Sequence, residues 1–137
     1  MLNAHVETYH LLKAIPGSEK VKIGLVKNIF QFDPLRRWHL LDWAFSKILN
    51  DVYTNAPLEF LKTGKSSFYM PGMVDNKMLN PEAPGTLDFI GLNYYSRMHV
   101  KGRLNPEEPF VFDTRQQDIM TDMGYPLYAE GFYRALK

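Results

Sequence analysis

The sequence contains no cysteine. That removes disulfides, thiolate metal sites and thiol nucleophiles together, and it is compatible with a reducing cytoplasm, where the protein is expected. There is no excess charge of either sign: sixteen Lys and Arg meet fifteen Asp and Glu for a formal charge of +1. No bulk electrostatic force would therefore hold the chain to nucleic acid or to an anionic membrane, and neither is expected as a partner. Long hydrophobic runs are missing as well. No uncharged stretch approaches the ~18 residues of a membrane span, and the start, M-L-N-A-H-V-E, lacks a basic region followed by an apolar run, so no targeting segment is expected. Repeats and low-complexity segments are absent. What is present is 45% hydrophobic and 23% charged over 137 residues, the balance of a folded globular protein.

Periodicity then divides the chain. Leu2, Val6, Tyr9, Leu12 and Ile15 recur at helical spacing until Pro16-Gly17 stop them. V-K-I-G-L-V-K (21–27) offers apolar residues to both faces and reads as an internal strand, followed by a loop from Phe30 to Leu35 around Asp33-Pro34. Trp38, Leu41, Phe45, Ile48 and Val52 form a second helical stripe, which should cover a sheet. Pro57 restarts or kinks the chain into a short helix that Gly64 ends. Residues 66–86, with three prolines and two glycines and no sustained period, read as a long irregular loop. L-D-F-I-G-L-N-Y-Y (87–95) is the most strand-like stretch, a second polar loop follows to about Tyr128, and a last helix begins near Glu130. Helices and strands alternate without a hairpin turn, which indicates a parallel α/β sheet or barrel. Two parallel strands cannot close a barrel, so the chain reads as part of a domain, marginal or prone to associate alone.

The strand at 87–95 carries the chemical information. Alternation puts Leu87, Phe89, Gly91, Asn93 and Tyr95 on one face and Asp88, Ile90, Leu92 and Tyr94 on the other. In a (β/α)8 barrel the inward face turns polar at the C-terminal mouth, where active sites are built. Asn93 and Tyr95 fit that place, with Gly91 leaving room beneath. Spacing alone favours the other reading, that both are strand-end residues bonded to nearby loop backbone.

D-F-I-G-L-N-Y-Y-S (Asp88 to Ser96) resembles the sixth-strand motif of the family 1 glycoside hydrolases, the β-glucosidase family. The order of the other segments agrees: A-H-V-E-T-Y-H (Ala4 to His10) resembles the helix after the fourth strand, K-I-G-L-V-K-N (Lys22 to Asn28) the fifth strand, and T-D-M-G-Y-P-L-Y-A-E-G-F-Y-R-A-L (Thr121 to Leu136) the segment leading into the sixth helix. The resemblance implies an α/β fold, a partial (β/α)8 TIM barrel running roughly from the helix after strand four to the start of helix six, with residues 1–137 one piece of a single domain. It implies retaining hydrolysis of β-glycosides, with no cofactor and no metal. Within the motif it implies that Tyr95 hydrogen-bonds the nucleophilic carboxylate, an auxiliary catalytic role, and that Asn93 binds substrate. Tyr94 should pack toward the helices, and Asp88 should be structural.

The same resemblance exposes what is missing. The family's general acid/base lies in a T-F-N-E-P-type motif and its nucleophile in an I-T-E-N-G-type motif, and neither occurs here. The isolated chain is therefore expected to be inactive, with the missing barrel segments as its partner. The rival reading is a non-catalytic sugar-binding or interaction module, or one half of a split barrel. Ala129 stands where the family usually has Pro and Tyr125 where it usually has Trp, and the segment from Asn50 to Gly72 is longer than the usual link.

Other signals fall away. T-G-K-S (Thr63 to Ser66) lacks the first glycine of a phosphate loop, because Glu59 stands there. His5 and His10 are five apart, not the four of a helical metal pair. Glu107-Glu108 reads as a solvated pair of loop charges. Trp38, Trp43 and Phe45 suggest a sugar-stacking platform, but their helical context favours core packing.

Overall fold

The computed structural model describes residues 1–70 and 74–137. The elements are α1 (Leu2–Lys13), β1 (Gly24–Pro34), α2 (Leu40–Asn50), α3 (Ala56–Thr63), β2 (Lys65–Met70), β3 (Val74–Leu79), β4 (Phe89–Gly102), β5 (Phe110–Asp113) and α4 (Glu130–Ala135). One compact unit comprises Met1–Lys27 and Asn55–Leu92, the other Asn28–Thr54 and Asn93–Lys137.

A three-stranded sheet runs in the order β1-β4-β5. Asp88 N–H donates to Ile23 C=O at 2.8 Å and Leu35 N–H to Val100 C=O at 2.9 Å. Both pairs lie 65 positions apart, and an offset that stays constant along two strands makes them parallel. Gly24 permits the close pairing at the lower end, since a Cβ there would overlap the backbone of Phe89. Because pairing continues to Leu35, β1 outruns the strand expected at 21–27. The loop expected from Phe30 is strand up to Pro34, whose missing N–H falls on the side of β1 away from β4 and so costs the pairing nothing. The expectation of an internal strand also fails within this sheet, because β4 is central and β1 is an edge. Val26 is 73% exposed there.

The two long loops are corrected in the same way. Within 66–86, β2 and β3 pair antiparallel from Lys65 opposite Leu79 to Met70 opposite Val74. The Pro71 to Met73 part of the expected loop lies outside the described residues. Beyond Tyr95, β4 continues to Gly102, and β5 returns antiparallel from Gly102 opposite Phe110 to His99 opposite Asp113. Hairpin pairing is thus present twice. Backbone pairing to a partner overrides the proline and glycine density that reads as loop in isolation.

The helices follow their sequence signals. α1 and α3 occupy the expected places, and Gly64 ends α3 with φ of 76°. Between α2 and α3 lies one π-helical turn, Asp51–Asn55. Pro57 cannot donate to the preceding turn, and the wider turn accommodates its ring. In the first unit, Val6, Phe60, Leu61 and Ala83 form a buried cluster, with Leu2, Leu25, Met78 and Leu87 packed against it. In the second unit, Ile29, Phe32 and Val100 are buried, Phe32 meets Phe112 with ring centres 6.0 Å apart, and Phe45 meets Phe110 at 5.6 Å. The other two expected core aromatics are outside: Trp38 is 90% exposed and Trp43 53%. Trp38 precedes the N-cap His39 and so lies outside the helical phase, and Trp43 falls between the Leu41 and Phe45 positions of the stripe.

The fully buried side chain at the start of α2 is Asp42. It accepts hydrogen bonds from Arg36 N at 2.9 Å, Arg36 Nε at 3.0 Å, Arg36 Nη2 at 2.6 Å and Gly102 N at 2.8 Å. Burial alone pushes this carboxyl upward. Its hydrogen bonds from Arg36 and Gly102, with the guanidinium charge, outweigh that and hold it at about 2. A group depressed below its ordinary 3.8 binds protons more readily in the unfolded chain. Its contribution to stability is therefore complete above about pH 4 and lost as pH falls through about 2. Asp42→Asn is expected to lower the urea midpoint at pH 6 and to flatten the decline of that midpoint between pH 4 and pH 2.

Candidate functional site

Near the middle of β1 and β4, within the second unit, the parallel register sets two matching tripeptides side by side, Asn28-Ile29-Phe30 and Asn93-Tyr94-Tyr95. Asn93 Nδ2 donates to Asn28 Oδ1 at 2.9 Å and to Tyr95 Oη at 3.0 Å. Two positions along, the Phe30 and Tyr95 rings stack with centroids 5.3 Å apart and planes 10° from parallel. Tyr125 closes on both, 5.6 Å from Phe30 and 6.3 Å from Tyr95, and Tyr53 lies 6.2 Å from Phe30. A row of amides thus leads to a phenol set in an aromatic wall, with Tyr95 itself 42% exposed. Such a surface can stack on a pyranose ring and exchange hydrogen bonds with its hydroxyls.

Asn93 and Tyr95, the two residues proposed from the sequence, are therefore adjacent and on one face. Asn28, Phe30, Tyr53 and Tyr125 complete the cluster and were not anticipated. For the first two a signal existed: Asn-x-aromatic occurs in both strands, and a parallel register brings such repeats together.

Tyr94 faces the other way. Its hydroxyl donates to the Tyr128 carbonyl at 2.7 Å, and its ring meets Phe132 of α4 at 6.1 Å. Gly131 makes room, because a Cβ there would collide with the Tyr94 hydroxyl. Burial, aided by Tyr128, pushes the phenol up to about 12. α4 is also tied to β1 by Arg134, which donates to both Asp33 oxygens at 3.0 to 3.1 Å.

The carboxylates with described partners are occupied. Asp33 faces Arg134 and Asp42 faces Arg36. Asp88, in the first unit, accepts from Ile23 N at 2.9 Å and Tyr9 Oη at 3.2 Å and pairs with Lys13 at 3.0 Å, which together hold it at about 2. Asp118 accepts from Arg97 Nη2 and from Arg115 N, both at 2.9 Å. His99 Nδ1 lies 3.3 Å from Asp118, but the ring is wholly buried, and burial with the charges of Arg115 and Arg97 drives its pKa down. Sealed from solvent, it has no route to a substrate. Among the described residues no three His, Asp or Glu converge as a metal would require, and no helix is long and apolar enough to cross a membrane.

No family model matches the chain. β-Glucosidase A of Thermotoga maritima is 30% identical over 152 residues, covering 94% of this chain and 32% of the relative. The 1,4-β-D-glucan glucohydrolase of Thermotoga neapolitana is 28% identical over 151 residues, 94% of this chain and 33% of that one. Its relatives are β-glucosidases. The family 1 resemblance carried by Asp88 to Ser96 is thereby borne out. Among solved structures, the β-glycosidase from Pyrococcus horikoshii matches 98% of this chain and 29% of its own, with TM-score 0.75 and 28% identity. The β-glucosidase from Thermotoga maritima in complex with castanospermine matches the fold at TM-score 0.70 and 23% identity, over 98% of this chain and 30% of its own. The mixed α/β architecture is thus that of TIM-barrel β-glycosidases, and the chain spans about a third of the length of these relatives.

The opposite environments of the two tyrosines predict opposite costs. Tyr94→Phe leaves the Tyr128 carbonyl without its donor and should destabilise by ~1 kcal/mol or somewhat more. Tyr95→Phe, on the open side, should change the urea unfolding midpoint far less.

Proposed function

We propose that this chain is part of a retaining β-glycosidase of the β-glucosidase type, from the helix after strand four to the start of helix six of its barrel, with both catalytic glutamates outside it. The observation that carries the reading is the Asn28, Asn93 and Tyr95 row against the Phe30 and Tyr125 rings, in a chain whose relatives are β-glucosidases. The exposed apolar side chains support it. Val26 on the sheet edge and Phe132, Tyr133 and Leu136 on or next to α4 are surfaces that further barrel elements would cover.

A retaining mechanism needs two carboxyl groups ~5 to 5.5 Å apart, one protonating the leaving oxygen and one attacking the anomeric carbon. The acid must keep its proton near neutral pH. Asp42 and Asp88 are held at about 2 and Asp33 and Asp118 are paired with arginines, so these carboxylates suit structure and not proton transfer. What the chain supplies is the binding wall. Tyr95 would donate to the nucleophilic carboxylate, favouring its ionised form and fixing its orientation, while Asn93 would meet a sugar hydroxyl.

Purified alone, the chain is expected to release no aglycone from aryl β-glycosides above background, and turnover that follows the protein through repurification would overturn the reading. In a barrel completed with the remaining segments of a related enzyme, Tyr95→Phe removes a hydrogen bond to a charged group worth ~1.5 to 3 kcal/mol, so kcat should fall about ten- to a hundredfold or more. Tyr94→Phe should alter kcat far less. Equal losses, or a larger loss at Tyr94, would refute the assigned role of Tyr95.

A further inference from the structure

Two hydrogen bonds leave the same nitrogen of Asn93. Nδ2 donates across the sheet to Asn28 Oδ1 at 2.9 Å and along the strand to Tyr95 Oη at 3.0 Å. A carboxamide nitrogen carries two protons in fixed, divergent directions, so these bonds use both. What the Asn93 side chain can offer a ligand is then its Oδ1, and a carbonyl oxygen only accepts. The same arrangement settles the behaviour of the phenol. A phenolic oxygen holds one proton close to the plane of its ring, and that plane is fixed here by Phe30, stacked 5.3 Å from Tyr95 and 10° from parallel. Because Asn93 fills the accepting side of Oη, the Tyr95 proton points the other way.

The orientation of the Asn93 amide therefore decides whether Tyr95 donates or accepts. Turned over, Asn93 would face the phenol with Oδ1, draw the proton to itself and leave an outward lone pair, which repels a carboxylate instead of binding it. It would also set its oxygen against Asn28 Oδ1 with no proton between them. Asn28 thus selects the orientation in which Tyr95 donates outward. All three residues lie in the second unit, and Asn28, on the edge strand β1, reaches Asn93 on β4 because the parallel register sets them side by side.

We propose that Asn28 is a positioning residue that, through the Asn93 amide, makes Tyr95 a hydrogen-bond donor and Asn93 an acceptor toward a ligand. The proposal rests on the glycosidase reading for what those two atoms meet: a carboxylate at Tyr95 and, at Asn93, a sugar hydroxyl that gives its proton.

The chain itself supports the first measurement. With asparagine side chains labelled with 15N, both Nδ2 protons of Asn93 should resonate downfield of their solvent-exposed values. Asn28→Leu, similar in shape but without an acceptor, should remove that shift from one proton, and Tyr95→Phe should remove it from the other. Asn28→Asp, which can only accept, should keep both. Asn28 is exposed, so these substitutions open no cavity in the core, and the backbone amide spectrum reports that the sheet survives. The second measurement is kcat in the barrel completed with segments of a related enzyme. Asn28→Leu should lower it about three- to tenfold, the worth of one neutral hydrogen bond, and Asn28→Asp should restore most of that loss. In a Tyr95→Phe background Asn28→Leu should cost almost nothing more in kcat, because the hydroxyl it acts through is already gone. Its remaining effect should fall on KM, through the sugar contact of Asn93. A merely structural role would lower kcat equally in both backgrounds. Unshifted Asn93 protons, protons that ignore Asn28→Leu, or losses that add in the double variant would each overturn the relay, and a lowered kcat in Tyr95→Phe alone would still leave the glycosidase reading standing. Intact shifts beside an undiminished kcat in Tyr95→Phe would do the reverse, keeping the relay and removing the assigned role of Tyr95.

Discussion

The parallel register of β1 and β4 is the constraint on which the candidate site depends. One offset of 65 positions sets Asn28 against Asn93 and Phe30 against Tyr95. Because side chains alternate with a period of two, a slip of one residue would turn Asn93 and Tyr95 away and bring Tyr94 onto the site face. Gly24 permits the close approach at the lower end, and the Leu35 to Val100 bond closes the upper one.

Around that register the second unit is held by polar groups as much as by apolar ones. Its apolar core is small, while Asp42 gathers four hydrogen bonds and Asp33, Asp118 and Asn50 each tie a helix or loop to a strand. Asn50 is the clearest case: its Oδ1 accepts from Phe32 N at 3.2 Å and its Nδ2 donates to Phe32 C=O at 2.7 Å. The side-chain amide of α2 thus pairs with β1 as a neighbouring strand would, and satisfies backbone groups that an edge strand leaves open.

Elements with a strong local period were legible in the sequence. α1, the stripe of α2, the short α3 ended by Gly64, and the start of α4 all follow from residue spacing or helix-ending signals. Their boundaries were less so, because β1 and β4 are prolonged by each other's backbone and not by their own composition. Both hairpins were hidden for a related reason: proline and glycine mark turns, but whether the flanks pair depends on partners distant in sequence. For the site, alternation sufficed to place Asn93 and Tyr95 together and Tyr94 opposite. Asn28 and Phe30 required the register between two strands, and Tyr125 required a loop to fold back over them. Trp38 was misjudged because helical spacing was extended one residue past the N-cap, where the phase no longer holds.

On the proposed reading, these arrangements bear on which part of the chemistry the chain carries. The acid of a catalytic pair must hold its proton near neutral pH, and the nucleophile must present a free oxygen to the anomeric carbon. Here the partnered carboxylates are spent on arginines, lysine and backbone N–H groups, and the buried histidine is driven toward its neutral form behind a sealed surface. The aromatic groups are placed in the opposite way, with Tyr95 partly open and Trp38 almost wholly so. The Asp42 and Asp118 carboxylates fix backbone groups, while the Tyr95 phenol is partly open. That distribution suits a surface for a neutral, hydroxyl-rich ligand, which is what the proposed function asks of it.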